Sequence, residues 1–147
     1  MNTSPPTASL ETLRLRHLRF GWWTLLLFAA VGITLEALHG FKADWYLDVG
    51  RETRRLMWRL AHAHGTFLAL LNLVFAATLA WLPRRPKLAS PCLLGASIAI
   101  PGGFFLGGLT PHGGDPVIGI LVLPIGATLL ILGLLSAALA TRSSSDS

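Results

Sequence analysis

The chain has 147 residues, 52% of them hydrophobic and only 13% charged, with a mean hydropathy of +0.59. Soluble domains carry about a quarter charged residues, so this composition excludes an ordinary water-soluble domain and points to one membrane-embedded unit. The formal charge of +5 is no nucleic-acid signal, because the basic residues flank apolar runs and no zinc-finger spacing, Gly-Lys phosphate loop or dinucleotide fingerprint is present.

Residues 1–19 read as a disordered and interfacial N-terminal segment. Met1 to about Ser9 holds two prolines and small polar residues. From Leu10 to Phe20, leucines alternate with Arg14, Arg16 and Arg19, a pattern suited to the headgroup region. A transmembrane domain is expected over residues 20–141 and a flexible tail over residues 142–147. The first apolar run, Phe20 to about His39, is long enough to cross a ~30 Å hydrocarbon core. It is long for a secretory signal, carries Glu36 and lacks a small-x-small cleavage site, so it reads as a retained helix.

Gly40 to Leu60 is polar, with Trp45, Tyr46 and Trp58, and Arg51, Arg55 and Arg59 recur four apart on one helical stripe. No Pro or Gly separates Glu52 from His64, so this helix can run straight into the second span, Ala61–Leu82. A short loop with Arg84, Arg85 and Lys87 follows. The third span is Leu88–Thr110, where Pro101-Gly102-Gly103 is expected to kink or break the helix. The fourth is Val117 to about Thr141, with Pro124 inside it. Gly119, Gly126 and Gly133 are seven apart and share a face, through which a partner helix or a second copy could approach closely.

The expected fold is therefore all-α: an integral membrane four-helix bundle of up-and-down topology in the lipid bilayer. Arg14, Arg16, Arg19, Arg84, Arg85, Lys87 and Arg142 outweigh Lys42, Arg51, Arg54, Arg55 and Arg59, which favours both termini cytoplasmic. In a bacterium this is the inner membrane, with the opposite face toward the periplasm.

That topology brings Glu36, His39, His62, His64, His112 and Asp115 to one exoplasmic surface. Ionisable groups in hydrocarbon need a partner, a proton or a metal. Glu36 and His39 are three apart on one helix face, the Glu-x-x-His spacing that di-iron bundles use in duplicate; here it occurs once. His62 and His64, two apart, diverge by about 200° in a regular helix, so one points inward and the other to a neighbouring helix or lipid headgroups. Asp115 before Pro116 reads as a helix N-cap, and His112 is a ligand candidate brought in by the Gly113-Gly114 turn. Candidate metal ligands are Glu36, His39, His62, His64 and His112; candidate haem-binding residues are His39, His62 and His64. The same residues could serve a proton relay, or could hydrogen-bond one another and simply fix the packing. Nucleophilic catalysis finds no support, since no GxSxG turn is present and Cys92, the single cysteine, lies toward the other face. His17 lies toward that face as well and receives no role.

Two resemblances attach to these residues. The sequence HAHG at His62–Gly65 resembles the His-x-His helix start of haem–copper oxidase subunit I of the cbb3 type, which implies a haem-ligand role for His62 or His64. The chain lacks the other helices and copper-site histidines of an oxidase. His39, Gly40 and Lys42, with Thr110, Pro111, Gly113 and Gly114, resemble a small four-helix bacterial inner-membrane family of unknown function, which implies the architecture alone. The functional expectation is a metal- or haem-associated accessory to electron transfer, or a cofactor-free structural or assembly subunit of a membrane complex.

Overall fold

A computed structural model describes residues 6–47, 52–110, 116 and 118–142. Every regular element among them is helical: α1 (Pro6–Gly40), α2 (Asp44–Leu47), α3 (Glu52–Thr78), α4 (Ala89–Gly107) and α5 (Leu123–Ala140), with short 3-10 turns at Leu79–Trp81 and Ile118–Val122. Four stretches, Leu10–Gly40, Glu52–Trp81, Ala89–Gly107 and Ile118–Ala140, are long and apolar enough to cross a bilayer.

Sequence chemistry places the helix ends. α1 closes with a Schellman turn: Ala43 N–H donates to Leu38 C=O at 3.0 Å and Lys42 N–H to His39 C=O at 3.2 Å. Lys42 takes the left-handed position of that turn at φ 52°, where glycine is the usual occupant. α3 does run unbroken from Glu52 through the histidines, as the absence of a breaker before His64 allows. It tightens into a 3-10 turn and stops before Pro83. At the far end of α4, Arg54 of α3 supplies the missing donors, its Nε to Gly108 C=O at 3.2 Å and its Nη2 to Leu109 C=O at 2.9 Å. The helix is not broken at Pro101, since α4 continues through it, and Pro124 lies in the first turn of α5, where its missing N–H costs nothing.

α1 packs on α3, α3 on α4 and α4 on α5. Each contact runs in opposite chain directions: Gly21 meets Leu73 while Gly32 meets His62, Met57 meets Gly108 at the end of α4 while Asn72 meets Ser97, and Gly95 meets Leu129 while Gly103 meets Leu123. At one end all four helices contribute to a single cluster, with Leu10 and Leu13 of α1, Phe75 of α3, Leu93 of α4 and Leu130 of α5. The leucines of the N-terminal segment are thus packing residues of a continuous α1.

The outward faces are apolar. Trp23 is 71% exposed, Ile33 72%, Ile98 66% and Ile131 65%. At about 25 cal/mol per Å², so much apolar surface would be costly in water and costs nothing against lipid tails. With little hydrophobic drive between helices in lipid, close contact must come from small residues and polar bonds. Gly65 sits under the Phe28 ring, where an added Cβ would stand 2.3 Å from it.

The face of Gly119, Gly126 and Gly133 is used in the same way, inside the chain. Gly119 abuts Leu106, Gly126 abuts Ile100, and Gly133 abuts Leu93 and Cys92; all three glycines are buried. The expectation that this face receives a partner helix or second copy is therefore corrected: α4 occupies it.

Candidate functional site

Among the described residues, polar side chains gather between the helices toward both of their ends. The first of these centres is an open groove between α1 and α3. His62, on α3, lies against Gly32 of α1, where a Cβ would come within 2.4 Å of the imidazole Cε1. Only glycine lets the ring lie this close to the neighbouring helix. The His62 Nδ1 stands 2.8 Å from the Phe28 carbonyl oxygen. A carbonyl only accepts, so Nδ1 carries the proton, and a neutral ring in this tautomer would present its lone pair at Nε2.

Next to His62 the groove, of about 800 Å³, is lined by Ile33, Glu36 and Arg59. A second hollow of about 440 Å³ continues from it past Glu36, His39, Tyr46, Arg55 and Arg59. Glu36 and Arg59 line both, so the polar strip is continuous. Among the described residues, two guanidiniums share it with one carboxylate. Arg55 is anchored by Nη1 to the Tyr46 carbonyl at 3.2 Å and by Nη2 near Glu52 at 3.7 Å. Tyr46 is 2% exposed. Burial pushes its phenol up from the ordinary value, and the Arg59 and Arg55 charges pull it back down.

The structure separates the paired histidines as helical geometry requires. His64 turns to the α4 side, its Nδ1 2.9 Å from the Leu60 carbonyl and its ring 4.8 Å from that of Phe104. Of the expected cluster, Glu36, His39 and His62 line one connected groove, and His64 does not join them. His112 and Asp115 lie outside the described residues. Among the described residues, no three His, Cys, Asp or Glu side chains stand close enough together to hold a metal ion.

Beside the groove, Trp58 stacks on Phe105 with centroids 5.6 Å apart, and Arg54 lies over the Trp58 ring at 5.8 Å.

The second polar centre is one that sequence reasoning missed. His17, fully buried, joins α1 to both inner helices. Its Nδ1 is 2.7 Å from Asn72 Oδ1 and its Nε2 is 2.8 Å from Ser90 Oγ. Asn72 Nδ2 donates to the Leu68 carbonyl and to Ser97 Oγ, both at 2.8 Å, and Ser97 Oγ donates to the Leu93 carbonyl at 2.7 Å. The Leu68 carbonyl fixes the Asn72 amide orientation, which makes Oδ1 the acceptor and His17 Nδ1–H the donor. Ser90 then donates to Nε2, and a neutral His17 is fully satisfied. The signal for this centre was Asn72, a lone amide in the middle of an apolar run. The partner, 55 residues away, was not readable.

Compared with known proteins, the chain matches no family model, no curated protein and no solved structure.

Proposed function

We propose that this is a four-span protein of the bacterial inner membrane, crossing up and down with both termini cytoplasmic and the α1–α3 groove toward the exoplasmic face. The length of α1 supports its N-terminal turns lying among headgroups: 35 residues at a rise of ~1.5 Å extend well beyond a ~30 Å core. Its work is that of an accessory or assembly subunit, and the groove is where a partner docks. The observation that carries this reading is the charge of the groove. Among the described residues that line it, Arg55 and Arg59 outnumber Glu36, with Glu52 beside Arg55 outside the lining, so the groove suits an anionic group of a partner and repels a bare divalent cation.

A photocrosslinking residue at Ile33, on the groove, tests this in intact cells. The expected result is a discrete protein adduct that falls when Arg59→Gln removes a charge. Equal adducts from a probe at Leu134, on α5, or adducts indifferent to Arg59, would refute it.

One observation favours a second reading, a haem-associated accessory to electron transfer. His62 donates Nδ1–H to a backbone carbonyl, the arrangement that orients metal-ligating histidines and leaves Nε2 for the metal. Haem carboxylates would match the two arginines. An absorption spectrum and metal analysis of membrane-extracted protein decide: a Soret band lost in His62→Ala supports this reading, and its absence from the native protein leaves the first.

A further inference from the structure

The loop between α3 and α4 carries Arg84 and Arg85 between Pro83 and Pro86, with Lys87 directly after, at the end opposite the groove. It is held in place: Arg84 N–H donates to the Ala140 carbonyl of α5 at 3.3 Å, Ala89 N–H donates to the Pro86 carbonyl at 3.2 Å, and Pro86 is buried. Hollows lie on both sides of it. The one toward α1 measures about 440 Å³, with the three loop cations and Arg16 at its rim and Leu10, Leu13 and Leu79 along its wall. The one toward α5 measures about 450 Å³ and pairs the same three cations with Leu132, Leu135 and Leu139. Among the described residues no carboxylate lines either hollow.

Four cations above leucine-lined walls match a molecule with an anionic head and apolar tails. We infer that this end of the fold binds an anionic glycerophospholipid, its phosphodiester between Arg16 and the loop cations, its acyl chains against the leucines of the flanking hollows. Basic pockets between membrane helices recognise such headgroups through charge, and bulk attraction to an anionic leaflet decays within a Debye length. A defined site adds what bulk attraction lacks: retention of a set number of lipids, and dependence on these cations rather than on others at the same end. Arg19 and Arg142 are the internal controls, exposed cations that do not line either hollow.

The test is native mass spectrometry of the full chain released from nanodiscs of phosphatidylglycerol mixed with phosphatidylcholine. The expected spectrum shows a stoichiometric phosphatidylglycerol adduct that survives excess inorganic phosphate. Each cation is worth roughly fivefold at an anionic surface, so Arg84→Gln/Lys87→Gln weakens retention roughly 25-fold. Arg19→Gln and Arg142→Gln leave it unchanged. These side chains are exposed, and an unchanged helical circular dichroism spectrum confirms that each variant folds. Equal retention of phosphatidylcholine, displacement by inorganic phosphate, or equal weakening by the control substitutions would each overturn the inference.

Discussion

Replacing Asn72 with leucine should cost far more than the change in volume suggests. Asn72 is fully buried, accepts from His17 and donates to Ser97 and Leu68. Leucine keeps the bulk and removes every bond. It leaves the His17 Nδ1–H without an acceptor, a penalty of about 1–3 kcal/mol. His17→Leu removes the opposite partner, orphaning Asn72 Oδ1 and the Ser90 hydroxyl at a similar cost. It also loses the edge contact to Phe75, whose ring lies 4.7 Å away. That loss appears in both the single and the double variant, so it cancels in a double-mutant cycle. In the double variant no group of the pair is left unpaired. Interhelical hydrogen bonds in membrane proteins couple by about 0.6 kcal/mol on average and by up to about 1.7. The upper end is expected here, because neither partner has another acceptor or donor to turn to. Steric-trap unfolding in bicelles measures all four corners. Costs that add to within about 0.5 kcal/mol would refute the argument, since that is how independent sites behave.

Three further substitutions test the packing account by the same assay. Gly65→Ala puts a Cβ 2.3 Å from the Phe28 ring and should destabilise by about 1–3 kcal/mol, whereas Gly102→Ala, with open space around it in α4, should be neutral or stabilise by up to about 1 kcal/mol. Lys42→Gly removes a side chain from a left-handed position and should stabilise by up to about 1 kcal/mol; a loss would mean that the Schellman turn does not hold in solution. Arg54→Met keeps contact with Trp58 but removes both donors from the end of α4, and should cost about 1–2 kcal/mol with faster amide exchange in the last turn of that helix.

The spans were legible because twenty apolar residues have few other uses, and the divergence of His62 from His64 followed from helical periodicity alone. The glycine heptad was legible as a surface of close approach. Its owner was not, because spacing says how near a helix can come and not which helix comes. Pro124 lies inside the fourth apolar stretch, as its sequence position says, but the stretch alone did not show that a 3-10 turn precedes it and that it sits in the first turn of α5. His17 misled for a longer-range reason. Set among Arg14, Arg16 and Arg19, it reads as a headgroup residue, and only the antiparallel pairing of α1 with α3 reveals that its ring turns inward to Asn72. The one signal in the sequence that could have pointed there is Asn72, an amide that needs partners wherever it is buried.

The account rests on the two polar centres facing opposite sides of a membrane, and cysteine accessibility tests that most directly. With the single, buried Cys92 replaced by serine, cysteines are introduced one at a time at the exposed positions Lys42, Lys87 and Thr141. On the orientation proposed above, a membrane-impermeant maleimide applied from the exoplasmic side should label Lys42→Cys alone. Lys87→Cys and Thr141→Cys should react only after permeabilisation. Labelling of Lys42→Cys and Lys87→Cys from the same side would contradict the four-span arrangement and the placement of both centres.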